Sequence, residues 1–477
     1  MNTVPPMPAL PFRPILISQP TWAEIKKVCP TYETMLLTIL DAILNRYDRT
    51  PDYHFIDTKL NLITGEDFVP GPDPEHDFRS RRVIYGWIQG RGLEALVGHA
   101  EWLRTTSTFA SWDTETRIQK ITRVVREVTL QMESIRARNS DRLFFMMTPE
   151  GQPLHVADDG RVLPLKQIPP ESNFTDLFYA KGLFAAATFL GWQDKTDEAK
   201  CLMRRVLADI DAQRFASDQQ FFEPNKRPPV MTGRVSHGPR MIAIGGLALF
   251  YEKTGEVEWL RKGEEYIRYL LDRHVNVGQY PELQLYDYVE YLTEAGTPWV
   301  SEGEVLSDPG HTLEFIGLLL KLLSPLRRQI QPETADPRLL NRCRHLLPKV
   351  FVHNFRLGFD AEHGGIRKAI GLLRRRPLND DMPWWSLPET IRAAAELAIF
   401  APEAPEKKEI LAALAVCSNA FLLHYVNPAV HLMAYQTRNR HGVPVDVIPA
   451  TPDADPGYHT GLSLIDFLQL AATTSEH

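Results

Sequence analysis

Apolar residues return at intervals of three and four along almost the whole chain, and Gly or Pro closes most of the runs, which is the periodicity of packed helices. The segments so marked are 31–47, 82–105, 115–139, 174–191, 195–213, 238–254, 257–274, 309–323, 338–355, 387–401, 405–425 and 457–472, about twelve helices. Strand-like pieces are few and short: Tyr53 to Ile63, a hairpin candidate from Arg142 to Leu165, and His431 to Gln436. They fall between helices and read as decorations of the connections. No Pro/Gly/Ser linker divides the chain, so residues 1–477 are expected to form one catalytic domain, with residues 1–20 as a Pro-rich N-terminal extension. Unbroken helical hairpins predict an all-α fold, an (α/α)6 barrel or toroid of about six hairpins, with short β decorations in its loops. A two-domain helical solenoid is the alternative.

A ring of this kind has a functional end. Its inner helices run the same way, so their unpaired N–H groups and positive dipole ends converge at one mouth. A single deep pocket for an oxygen-rich ligand is expected there.

Composition narrows the function. A chain of 477 residues, 44% hydrophobic and 24% charged, buries a large core. A formal charge of −7 and the lack of a long basic run argue against nucleic acid. The densest basic cluster, Arg374 to Arg376, reads as a solvated loop. Cys29, Cys201, Cys343 and Cys417 show neither CxxC nor zinc-ligand spacing and read as reduced core residues. No metal or cofactor is called for. The start MNTVPPMPALPFRP carries five prolines and no signal-peptide pattern. No apolar run approaches the roughly 18 residues of a membrane span. A cytoplasmic location follows by default, and a homodimer is admitted.

Two helix starts share one grammar, Asp308-Pro309-Gly310-His311 and Asp455-Pro456-Gly457-Tyr458-His459. Asp caps, Pro suits the first helical position, and Gly admits a close neighbour. Each start places a histidine in a first turn, where the helix dipole lowers its pKa and keeps a neutral imidazole for acid–base work. Glu314 follows His311 on the same face and can fix its tautomer. Ser236-His237-Gly238-Pro239-Arg240 opens another helix, with His237 and Arg240 on one face. Trp384-Trp385 offers indole faces for a pyranose ring, and Glu389 either binds hydroxyls or closes a capping box begun by Ser386. Tyr85, Trp87 and Arg91 cluster on one more helix, where Arg91 is an inward cation facing a polar pocket or the partner of Glu94.

In this order, the motifs Asp308-Pro-Gly-His311-Thr-Leu-Glu314, Trp384-Trp385-x-x-x-Glu389 and Tyr458-His459 resemble the N-acylglucosamine 2-epimerase superfamily. The segments 359–365 and 291–299 add to the likeness, which covers most of residues 80–470. The resemblance implies an (α/α)6 barrel without a required metal. It also implies a histidine pair, here His311 and His459, that exchanges a proton at sugar C2, with Glu314 beside the first and Arg91 polarising a sugar oxygen. Family members usually carry a His-x-His pair in the helix that here reads SHGPRM. This chain has Arg240 and Ile242 there, with His237 one turn earlier, and Glu94 stands where an aromatic residue is usual.

The expected function is therefore epimerisation or aldose–ketose isomerisation at C2 of a free sugar through an enediolate. His311, His459 and Glu314 are the expected catalytic residues. Arg91, Trp87, Tyr85, His237, Arg240, Trp384, Trp385 and Glu389 are the expected sugar contacts. A glycoside hydrolase or lyase, drawing carboxylates from Glu314, Glu389 and Asp176, and a non-catalytic sugar-binding protein are the alternatives.

Overall fold

The computed structural model describes residues 14–15, 20–69, 71, 73–74, 77–106, 108, 111–156, 162–165, 171–216, 233–324, 335–446 and 454–473. Most of the Pro-rich extension and residues 157–161 of the hairpin candidate lie outside them.

Helices dominate, in the order α1 (Trp22–Lys26), α2 (Cys29–Arg49), α3 (Gly86–Thr105), α4 (Ser111–Arg138), α5 (Phe174–Leu190), α6 (Gln193–Asp211), α7 (Gly238–Thr254), α8 (Val257–Arg273), α9 (Pro309–Leu323), α10 (Pro337–Gly358), α11 (Ser386–Phe400), α12 (Lys407–Ala420) and α13 (Ser463–Thr473). The odd-numbered helices from α3 to α13 contact one another in sequence, and α13 returns to α3, which closes an inner ring. The remaining helices from α2 to α12 pack outside it, so six hairpins form the expected (α/α)6 toroid. Burial separates the two layers. In α5 every residue from Thr175 to Ala187 is buried, as a helix packed on all sides requires, whereas α8 buries a stripe running from Trp259 and Leu260 through Gly263, Tyr266 and Ile267 to Leu270 and Leu271.

Several local expectations change. The short α1, capped by Thr21, carries too few residues to show a period. Tyr53 to Ile63 contains only an isolated bridge, Leu60 to Asp67, and the strand expected at His431–Gln436 forms instead at Thr437–Arg438. The segment 142–165 does supply strands: Met146–Met147, Pro153–Val156 and Val162–Pro164 join Ile84–Tyr85 in a four-stranded sheet. The Arg374–Arg376 cluster is not simply solvated, because Arg375 pairs with the fully buried Asp287 at 2.7 Å. Cys343 and Cys417 are buried, but Cys201 is exposed and Cys29 half-buried, so the four are not all core residues. No helix of the described residues is long and apolar enough to cross a membrane.

The short sheets do more than decorate. The strand Glu304–Ser307, held by Ala369–Gly371, runs straight into Asp308 at the start of α9. Arg234–Ser236 pairs with Tyr291–Thr293 in a register that sets His237 beside Glu290. Met382–Pro383 pairs with Thr437–Arg438 and delivers Trp384 to the mouth of the ring.

Candidate active site

The segments at the starts of α7, α9, α11 and α13 bring two histidine–carboxylate pairs next to one indole, that of Trp385. His311 packs on Trp385 with ring centres 5.2 Å apart and planes 25° from parallel, and His459 lies 5.7 Å from the same ring. These two distances bound the separation of the imidazoles below about 11 Å, within the reach of one ligand bridging both. Trp384 meets His459 edge-on at 6.1 Å.

Each imidazole is oriented from behind. His311 Nδ1 lies 2.8 Å from Glu290 Oε1, and His459 Nδ1 lies 2.9 Å from Glu389 Oε1. A carboxylate at Nδ1 places the ring proton there and leaves Nε2 with its lone pair, the tautomer a base needs. Glu290 lies outside the set expected from sequence. Its signal was a lone acid inside the apolar and aromatic run Tyr288-Val289-Glu290-Tyr291-Leu292, which can be buried only with a partner.

Three expectations are corrected by these contacts. The partner of His311 is Glu290, while the carboxylate of Glu314, one turn further along α9, groups with Glu389 and His459 within 4.8 Å. Glu389 forms no capping box: α11 has no side-chain cap, Ser386 Oγ donates to Pro383 O, and Glu389 is taken up by His459 and Arg392. The third concerns charge. Burial disfavours the His311 imidazolium, but Asp308 and Glu290 outweigh it, so its pKa lies above the ordinary histidine value and not below it. Asp308 Oδ2 is 3.3 Å from His311 Nδ1 and 2.5 Å from Lys368 Nζ. The charges of Asp308 and Glu290 thus outweigh the helix dipole at His311.

Glu290 and Glu389 are both fully buried carboxylates. Burial alone would push Glu290 up, yet His237 and His311 hold it well below the ordinary range. Arg392, then His459, likewise overcome burial at Glu389. Glu314 goes the other way, raised by burial and by the charge of Glu389.

The remaining predicted residues divide. Arg91 reaches the site sandwiched by Phe178, Trp87 and Tyr458, its guanidinium 4.1, 4.7 and 5.2 Å from their ring centres. Glu94 pairs with Lys181 at 3.0 Å rather than with Arg91, and Lys181 Nζ lies 2.5 Å from Tyr458 OH. Trp87 packs edge-on against Phe145 and Phe178. His237 joins the His311 side through Glu290, 2.9 Å away, and its ring centre is 5.3 Å from that of His311. Arg240 does not come to the cluster: it covers Tyr269 and Tyr266 of α8 and donates to Ile210 O. Tyr85 is buried against Phe145 and under Lys59. Asp176 closes the capping box of α5 and pairs with Arg142, which removes it from the carboxylates a hydrolase could use. A cleft of about 670 Å³ opens outside the ring, lined by Tyr286, Lys349, His353, Arg356 and Arg375 among others, away from the mouth where a single deep pocket was expected.

Two sets, His237–Glu290–His311 and Glu314–Glu389–His459, have donor atoms close enough to bridge a cation. Both ring nitrogens of the first set approach the same oxygen, Glu290 Oε1, which is the pattern of a shared hydrogen-bond acceptor.

Comparison with known proteins bears on the fold and the family. The structure resembles the cellobiose 2-epimerase of Spirochaeta thermophila DSM 6192 (TM-score 0.59, 14% identity, 94% of this chain and 98% of that one). It also resembles the cellobiose 2-epimerase of Bacillus thermoamylovorans B4167 (0.59, 12%, 90% and 99%) and a D-mannose isomerase (0.55, 12%, 91% and 98%). At such identity these likenesses carry the fold. A search of curated proteins by sequence gives no match. Residues 170–459, more than half of the chain, match the family model for N-acylglucosamine 2-epimerase (GlcNAc 2-epimerase). The chain therefore belongs to the N-acylglucosamine 2-epimerase family and is a sugar epimerase or isomerase.

Proposed function

We propose that His311 and His459 carry the proton transfers of this enzyme at C2 of an open-chain aldose. One Nε2 takes the C2 proton, and the electron pair of that C–H bond moves into an enediolate with charge on O1. The other histidine, entering as imidazolium, returns a proton to the opposite face of C2 and gives the epimer. A proton returned to C1 instead, with the O2 hydroxyl proton passed to O1, gives the ketose. Arg91, a buried cation without a carboxylate partner among the described residues, suits the enediolate oxygen.

The observation that carries this reading is the presence of two imidazoles, each backed by a buried carboxylate, beside one indole. Supporting it, Arg91 Nε, Trp87 Nε1 and Trp384 Nε1 are buried donors without a partner among the described residues, and sugar hydroxyls would satisfy them. Glycoside hydrolysis is not favoured. Glu389 pairs with Arg392 and His459, and Asp176 is committed to a helix cap, so neither of the other two candidate carboxylates is free to act with Glu314. The test is incubation with a panel of free aldoses and reducing disaccharides in heavy water, followed by NMR. Deuterium entering at C2 with a new epimer or ketose is expected; release of a reducing end without C2 exchange would refute the assignment.

A further inference from the structure

Tyr458 enters the site with His459, on the short π-turn Tyr458–Leu462 that leads into α13, and the proton transfers leave it unused. Its ring meets the His459 imidazole edge-on at 5.1 Å, and the guanidinium of Arg91 lies 5.2 Å from its centre. Phe178 packs on it edge-on at 5.8 Å. Tyr458 is thus in contact both with a proposed base and with the cation proposed for the enediolate oxygen. Burial, and after it the charge of Glu94, holds the phenol pKa well above its ordinary value, so the hydroxyl keeps its proton near neutral pH.

Behind the phenol lies a buried amine. Lys181 of α5, only 1% exposed, donates to the Tyr458 hydroxyl oxygen from 2.5 Å and is ion-paired with Glu94 of α3 at 3.0 Å. Helix α7 makes room for it. A Cβ on Gly246 would lie 3.1 Å from Lys181 Cγ and 3.3 Å from Cδ, so the glycine lets the lysine stem lie close against the helix. An apolar side chain would fill that space without the cost of desolvating an ammonium. Because the phenol oxygen already accepts from Lys181, its own O–H is left to donate, and none of the described residues accepts it.

We propose that Tyr458 is a further catalytic residue, whose hydroxyl donates a hydrogen bond to O1 of the bound aldose beside Arg91, and that Lys181 is the positioning residue that holds and polarises this hydroxyl from behind. The phenol keeps its proton throughout. As the electron pair of the C2–H bond moves into the enediolate, the charge gathering on O1 meets two donors, Arg91 and the phenol. The phenol hydrogen bond strengthens with that charge, and an ammonium on the phenol oxygen makes the O–H a better donor. The inference rests on the two-histidine reading, and it concerns formation of the enediolate, which precedes the choice between epimer and ketose.

The experiment follows, on whichever aldose of the panel the wild-type protein exchanges, both loss of a C2 deuterium to water and formation of product. Tyr458→Phe removes only the hydroxyl. It should lower both rates by the same factor, about 10²-fold, the scale of one lost oxyanion donor, with KM changed by less than roughly threefold. Lys181→Met should lower kcat by at least ~10-fold while Tyr458 is intact, and by little once Tyr458→Phe has been made, since its effect passes through the hydroxyl. A merely structural lysine would cost the same in both backgrounds. Should Tyr458→Phe fail to fold, Lys181→Met decides alone, by a lowered kcat at unchanged KM. A folded Tyr458→Phe or Lys181→Met that keeps wild-type turnover, or a Lys181→Met loss that is equal with and without the hydroxyl, would overturn the proposal while wild-type exchange left the two-histidine reading standing. No C2 exchange by the wild-type protein in any sugar would sink that reading and this inference with it.

Discussion

The same three letters, Asp-Pro-Gly, followed by a histidine at once in one case and after Tyr458 in the other, build two different structures at the site. At Asp308 they cap a regular helix: the side chain accepts from His311 N, Pro309 is the first helical residue, and His311 stands in the first turn of α9. At Asp455 the carboxylate accepts from Tyr458 N and Thr460 N, Gly457 turns to φ +86°, and His459 sits in a π-turn, Tyr458–Leu462, that precedes α13. The glycines serve different ends. At Gly310 a Cβ would lie 3.0 Å from Trp385 Cη2, so glycine there makes room for the indole, while Gly457 is needed for its backbone angle. A motif read as a helix signal thus places a histidine at a site end without saying which turn carries it.

If the two sides form one catalytic unit despite these differences, removing either imidazole should have the largest effect. His311→Asn and His459→Asn should each lose at least ~10²-fold in turnover, and the double variant should be little worse than the poorer single one, since members of one unit are non-additive. Steady-state kinetics on whichever aldose exchanges would check this. Additive losses would mean that the two sides work independently.

Trp385 joins the sides, which alters what its truncation should do. A residue that only stacked on a sugar would raise KM, but this indole also packs on the imidazoles of His311 and His459. Trp385→Ala is therefore expected to lower kcat by about tenfold or more as well as raise KM, through loss of imidazole positioning. An unchanged kcat would show that the carboxylates alone orient the histidines.

The glycines sharpen the contrast further. Gly457→Ala should cost stability, about 1–3 kcal/mol for an alanine held at positive φ, with a Cβ also only 3.1 Å from His99 Cε1. Gly310→Ala meets no such strain and should lower kcat more than the melting temperature, by displacing Trp385. Thermal melts and kinetics on the two variants together test this, and the opposite assignment would mean that the two turns have been misread.

The smallest effect expected is on the pH dependence of stability. His311 has a folded pKa above its ordinary 6.5, so its contribution is fully present below about 6.5 and fades as pH rises through the folded value. Glu290, held well below its ordinary 4.5, contributes above about 4.5 and loses that contribution as pH falls through its folded value. Their shared interaction, counted once, is complete between these limits. Glu290→Gln should therefore narrow the difference between urea midpoints at pH 5.5 and pH 8.5, and an unchanged difference would place the stabilising charge elsewhere.

How much of this was legible in the sequence follows from what each residue must satisfy. The toroid was, because a helix buried on one face repeats its apolar residues every three or four positions, and because α5 and α9 are apolar nearly all round. His311, His459 and Arg91 were, because capping grammar and an isolated cation among glycines stand out in one chain. Glu290 was not, since its partners His237 and His311 come from other elements, joined only when Arg234–Ser236 pairs with Tyr291–Thr293. Arg240 misled for the converse reason: a helical face predicts which residues neighbour one another, but not whether that face meets the mouth or the tyrosines of α8. The strands that aim His237, Asp308 and Trp384 are two to four residues long, too short for a period of two to show.

The central claim is that His311 and His459 act on opposite faces of one carbon, and label transfer measures this most directly. With a C2-deuterated aldose in ordinary water, the wild-type protein should lose deuterium as the epimer or ketose forms. Of the two single Asn variants, at least one should still wash out the label while forming no epimer, because a single surviving base can remove and return a proton on its own face. Epimer formation at the wild-type rate by either folded variant would contradict the account.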